Sequence, residues 1–98
     1  AYVLSLGSYS PLLTRKLGLR LPIYPMKGYS ITLPWNEGSP SISLTDGSAK
    51  IVYSKLGDRL RIAGTAEFAG YDPALRTSRI APIEKAARGL LPNAAWDK

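Results

Sequence analysis

The chain has no cysteine and no histidine, and only one methionine and one phenylalanine. Without cysteine, neither a disulfide nor a thiolate metal site can form, which suits a reducing compartment. Without histidine, the commonest general base and metal ligand are gone, and most self-contained hydrolase chemistries go with them. No apolar run approaches the roughly 20 residues that a membrane-spanning helix needs. The chain opens on AYVLSL, with neither the basic leader nor the initiator methionine of a secretory signal. A cytoplasmic location is expected. Also missing are a Walker loop, a G-x-G-x-x-G run and any metal-ligand spacing.

Acidic residues are scarce as well, seven against thirteen basic, for a net charge of +6. An excess of positive charge raises the question of nucleic acid. The basic residues are scattered from Arg15 to Lys98 without a block of like charge, and no aromatic RNA-binding motif accompanies the six tyrosines. A solvated basic surface is the better reading, and no nucleic-acid partner is expected.

What is present suits a globular domain. Ninety-eight residues, 45% of them hydrophobic and 20% charged, are enough for one core with little to spare. Tyr2 to Leu6 is a short apolar run closed by Gly7 and Ser8, the pattern of a buried parallel strand ending in a turn. Pro11 to Leu17 reads as one or two turns of helix stopped by Gly18. Ile23 to Leu33 is strand-like, with Pro25 placing its start at an edge and Gly28 permitting a bend.

Two more strands, Ser41 to Thr45 and Lys50 to Leu56, flank a hairpin signal at Asp46 and Gly47. Gly57 and Asp58 make a second turn into the strand Arg59 to Ala66, where Leu60 and Ile62 face one way and Arg59, Arg61 and Ala63 the other. The meander therefore has one apolar face that needs a cover. Ser78 to Leu91 supplies it: Ile80, Ile83, Ala87 and Leu90 recur at helical spacing. Thr77 or Ser78 is the expected cap, with Pro82 tolerated only in the first turn and Pro92 as the stop. The expected fold class is α+β, an antiparallel or mixed sheet meander with a helix packed on one face.

Single residues say less about chemistry. Gly7 and Ser8 suit close backbone approach to a cofactor, although on the residues alone a plain strand-to-loop turn is the favoured reading. Lys27 and Tyr29 suit an anionic ligand, but surface lysine and core tyrosine are the commoner roles. Lys50 and Tyr53 fall on opposite faces of one strand, so at most one points into a given pocket. Glu67 and Asp72 have no evident cooperation as acid and base.

Four stretches taken together are more specific: VLSLGSYS from Val3, LPIYPMKGYSIT from Leu21, LGDRLRIAGTAEF from Leu56, and the Ala- and Arg-rich helix from Arg79 to Pro92. In this order they resemble an interior segment of FAD-dependent D-amino acid dehydrogenases, within the D-amino acid oxidase and glycine oxidase family. The resemblance implies a parent enzyme that passes a hydride from the α-carbon of a D-amino acid to FAD. The resulting imino acid hydrolyses to a 2-oxo acid and ammonia, and the electrons go to a respiratory acceptor at the inner face of the membrane. It implies that residues 1–10 are the last strand of the FAD-binding domain, with Gly7 and Ser8 near the cofactor. Residues 11–98 would belong to the substrate domain, with Lys50, Tyr53, Thr65 and Ala66 lining the substrate pocket. The family's glycine-rich phosphate turn and its Gly-Arg-Pro carboxylate clamp are not among these residues. The expectation is a piece of a larger enzyme that neither holds FAD nor turns over by itself, and that self-associates through uncovered apolar surface; the alternative is a non-catalytic α+β binding or dimerisation module.

Overall fold

In a computed structural model that describes residues 1–97, the chain divides into two compact units. One comprises residues 1–27 and 67–73, the other residues 28–66 and those from Ala74 onward.

The larger unit carries the sheet. Its strands are β1 (Lys27–Pro34), β2 (Leu44–Asp46), β3 (Ile51–Leu56) and β4 (Arg59–Glu67), in the order β1-β4-β3-β2. β2, β3 and β4 form an antiparallel meander, with Leu44 opposite Tyr53 and Val52 opposite Ala63. β1 runs antiparallel to β4. The Trp35 amide donates to the Asp58 carbonyl at 2.8 Å, and farther along the Arg61 Nε donates to Thr32 Oγ1 at 3.4 Å. The hairpin turn at Asp46 is built as its sequence suggests. One carboxylate oxygen accepts from the amides of Ser48 and Ala49 and from the Ser48 hydroxyl, holding that carboxyl below its usual pKa, with the Ser48 hydroxyl as the largest cause.

Alternation sorts the strand residues onto two faces. Tyr29, Leu33, Ile51, Tyr53, Leu60 and Ile62 are buried on one of them. That face is covered by the helix α2 (Thr77–Leu90), which contributes Ile83 and Ala87 to the same core. Gly64 lets the helix close in: a Cβ built there falls 3.1 Å from Ile83 Cγ1 and 3.2 Å from Ile51 Cγ1. The α+β class expected from the sequence is the one observed.

The helix differs from expectation at its start. Arg76 is the N-cap, and no side chain caps the amides of the first turn. Thr77 and Ser78 are already helical, so neither occupies the extended conformation that a capping side chain requires. Pro82 consequently lies in the second turn, where it leaves the Ser78 carbonyl without its helical N–H donor. Ile83 and Ala87 still anchor the segment through burial, which outweighs a local propensity defect. The other end is as expected, with Leu91 donating back to Ala87 at 2.8 Å just before Pro92.

The smaller unit holds α1 (Ser10–Thr14), preceded by a single 3₁₀ turn at Gly7–Tyr9 and followed by another at Arg15–Leu17. It ends on Gly18 at φ 76°, the left-handed stop anticipated after Leu17. Tyr9 and Tyr71 pack ring on ring with centroids 5.3 Å apart, and the Tyr71 hydroxyl donates to the Ser8 carbonyl at 2.7 Å. Glu67 is buried and pairs with Lys27 at 3.5 Å. The Lys27 ammonium also donates to the Asp72 carbonyl at 3.0 Å. Glu67 is thus a structural ion-pair partner and not a solvated loop carboxylate.

Tyr2 to Leu6 forms no strand, and Tyr2 and Val3 are fully exposed. An apolar strand of this kind is stable only between hydrogen-bonded neighbours, and none of the described strands pairs with it. Two other strands begin later than their patterns suggest, β1 at Lys27 beyond Pro25, and β2 at Leu44 beyond Pro40. Pro25, lacking an amide proton, keeps Ile23 and Tyr24 out of the ladder, and ahead of β2 Ser41 and Ile42 form a bend.

Candidate functional site

The uncovered face of the sheet carries the candidate site. Along β4, Arg61, Ala63 and Thr65 point away from the core that holds Leu60 and Ile62. Val52 of β3 is paired with Ala63, and Gly28 and Ser30 of β1 lie beside them. These residues and Lys50 border a groove of about 450 Å³. Its floor is made of small side chains because Gly28, Ser30, Val52 and Ala63 are all short, so a ligand can approach the backbone closely.

Its charge is one-sided. Lys50 and Arg61 both border the groove, and no aspartate or glutamate does. Among the described residues neither cation has a carboxylate within salt-bridge distance. Lys50 is also the only non-glycine residue among those described with a positive φ, 57°. The left-handed region costs an L-residue about 1–2 kcal/mol. Lys50 ends the β2–β3 turn there, at a position where glycine or asparagine is the usual occupant.

Thr65 adds direction. Its hydroxyl donates to the Arg79 carbonyl of α2 at 3.1 Å. A carbonyl only accepts, so the hydroxyl proton is committed and the Thr65 oxygen faces any ligand as an acceptor. A carboxylate is therefore matched by Lys50 or Arg61, and an amino group by Thr65.

The residues singled out from sequence separate on this geometry. Lys50 and Thr65 meet in the groove. Tyr53 does not join them: it is 0% exposed and lies in the core, on the other side of the sheet, as the three-residue spacing from Lys50 requires. Its hydroxyl is buried without a hydrogen-bond partner. Desolvation raises its pKa above 10.0, with the nearby Asp46 charge a lesser cause. Ala66 is exposed and does not border the groove. Arg61 and Val52 were not singled out, although the alternation that puts Leu60 and Ile62 in the core already sends Arg61 to the open side.

Gly7 and Ser8 belong to the smaller unit. Gly7 has a φ of 52°, and a Cβ built on it meets nothing within 4 Å. Ser8 and Tyr9 border a second cavity of about 220 Å³ with Lys27, Tyr71 and Asp72. The backbone at Gly7 is open where a side chain would stand. The chain has no glycine-rich turn to wrap a pyrophosphate, so the residues present do not make a phosphate cradle for a dinucleotide cofactor. No group of three or more candidate metal ligands occurs among the described residues, and no helix among them is long and apolar enough to cross a membrane.

Residues 1–97 match the FAD dependent oxidoreductase family, DAO. The chain belongs to that family. It is 55% identical over 94 residues to a D-amino acid dehydrogenase of Dechloromonas aromatica, covering 94% of this chain and 22% of that protein. A D-amino acid dehydrogenase of Paramagnetospirillum magneticum is 56% identical over 95 residues, 95% of this chain and 22% of that protein. One from Vibrio cholerae is 47% identical over 95 residues, 95% of this chain and 23% of that protein. The chain thus spans less than a quarter of the length of these relatives. No solved structure matches it.

Proposed function

We propose that this chain forms the substrate-domain sheet of an FAD-dependent dehydrogenase that converts D-amino acids to 2-oxo acids and ammonia. The observation that carries this reading is the match of residues 1–97 to the flavin oxidoreductase family, and relatives named D-amino acid dehydrogenase support it at 47–56% identity. The groove on the open sheet face is the substrate surface in this reading. Lys50 pairs there with the substrate carboxylate, and the Thr65 oxygen accepts from its amino group. A bound flavin supplies a two-electron acceptor for the α-hydrogen, taken as hydride. What this chain contributes is orientation, because two fixed points of attachment hold the α-carbon in one attitude. The remaining assignments follow from the same reading. Gly7 and Ser8 approach the flavin ring, electrons pass to a respiratory acceptor at the cytoplasmic face of the membrane, and Tyr53 shapes the site only through the core beneath it.

By itself the chain has no phosphate cradle, so it is expected to be colourless and inactive. It is also expected to self-associate, because Tyr2, Val3, Leu17 and Met26 lie exposed. The deciding experiment uses the full reading frame that contains this segment. Its visible spectrum is recorded before and after anaerobic addition of D-alanine or L-alanine. Bleaching of a flavin spectrum by the D isomer alone is the expected result. A purified parent without flavin, or a flavin left unchanged by both isomers, overturns the proposal.

A further inference from the structure

The groove carries information about which side chains it accepts, and this inference rests on the reading of that groove as the substrate surface. Its border has two cations, Lys50 and Arg61, and no anion. The β3–β4 register places them toward different ends. Arg61 stands opposite Ser54, whereas Val52, two residues from Lys50, stands opposite Ala63. A ligand lying along the groove meets a positive charge at either end. A carboxylate satisfies one of them. The group at the far end of the ligand then faces the other across a floor of Val52 and Ala63, which offers no counter-charge.

We propose that Arg61 is a charge-selecting residue, with Lys50 holding the carboxylate common to every substrate, so that the groove takes D-amino acids with neutral or anionic side chains and discriminates against cationic ones. Placing an ammonium next to an unpaired guanidinium, with water displaced by the ligand, costs free energy that a neutral side chain of the same length does not incur. The backbone at Lys50 is a second, independent observation. A left-handed lysine occupies a turn position where glycine would be free of strain. Backbone strain of this sort persists where a side chain is needed in one place. A hairpin alone explains the left-handed conformation but not the choice of lysine for it.

The test uses the flavin-loaded full-length protein and two substrates with the same four-carbon side chain, D-norleucine and D-lysine, which differ by the terminal ammonium that lysine adds. The quantity read is the ratio of their kcat/KM values. Wild type is expected to prefer D-norleucine, and Arg61→Glu to move the ratio toward D-lysine by tenfold or more. Lys50→Asn, which tolerates the left-handed backbone, is expected to lower kcat/KM for both substrates and leave their ratio within twofold. The Arg61→Glu shift should shrink as salt is raised, since exposed charges are screened over about 10 Å at 0.1 M. Flavin content and melting temperature of the variants establish that they are folded. A ratio that stays within twofold of wild type in Arg61→Glu overturns the charge-selection proposal while leaving the dehydrogenase reading intact. Failure of every D-amino acid to bleach the parent overturns the dehydrogenase reading instead.

Discussion

Along β4, Leu60 and Ile62 are fully buried beneath α2, while Arg61 between them stands on the open side. The same contrast runs across the sheet. Tyr29, Ile51 and Tyr53 face the helix, and Gly28, Ser30 and Val52 face the groove. The covered face is large, apolar and tightly fitted, down to a glycine where Ile83 comes close. The open face is small-residued and cationic. One set of residues stabilises the sheet by leaving water, and the other contributes little by staying in it. A face that contributes little to stability is free to be shaped by a ligand. This difference makes the open face the candidate site.

The largest effect that sharpens the contrast comes from the covered side. Leu60→Ala removes most of a side chain at 0% exposure, where no neighbour but the core itself can refill the space. Such truncations cost about 2–5 kcal/mol. Arg61→Ala, one residue away, gives up one exposed 3.4 Å hydrogen bond to Thr32 and should stay within about 0.5 kcal/mol of wild type. Urea denaturation of both variants checks the pair. Equal losses would mean that the two faces are not the separate layers described here.

Much of this contrast was legible in the sequence. Leu60 and Ile62 alternate with Arg59 and Arg61, and Ile83 and Ala87 sit one helical turn apart, so the covered face and its helix followed from periods of two and 3.6. The two turns at Asp46 and Gly57 were equally plain, because their chemistry is local. What periodicity could not supply was anything set by a partner elsewhere. Tyr2 to Leu6 has the composition of a buried strand, yet composition does not provide the neighbours that a strand needs. Pro82 looked like a first-turn proline, but the helix begins at Thr77 because burial of Ile83 and Ala87 fixes its position. For the site, Lys50 and Thr65 were reached through family resemblance. Arg61 was reachable from alternation alone and was passed over, since a strand arginine reads by default as solvated.

A smaller effect of opposite sign is expected at Lys50. Lys50→Gly relieves the left-handed strain at φ 57° and should raise stability by about 1 kcal/mol, offset in part by the freedom that glycine adds to the unfolded chain. If the lysine only fills a turn, the variant is more stable and as active as wild type. If it serves the groove, the parent enzyme is more stable and its kcat/KM for D-alanine falls. Thermal unfolding and steady-state kinetics on one preparation separate the two cases.

The smallest effect concerns Tyr53, the one residue that resemblance places in the substrate pocket and geometry places in the core. Its hydroxyl is buried without a partner, and a buried polar group left unsatisfied costs about 1–3 kcal/mol. Tyr53→Phe removes that group and keeps the ring, so stability should be unchanged or rise by up to about 1 kcal/mol. The pH dependence supplies an independent sign. The folded state raises the phenol pKa above 10.0, so the hydroxyl stays neutral in the fold after it has begun to ionise in the unfolded chain. Its contribution is therefore complete below pH 10.0 and is lost as pH rises through the folded value. Tyr53→Phe should flatten that alkaline decline without changing kcat/KM for D-alanine. A fall in kcat/KM with unaltered stability would instead bring the Tyr53 hydroxyl into contact with substrate, and the division of this sheet into a structural face and a working face would have to be redrawn.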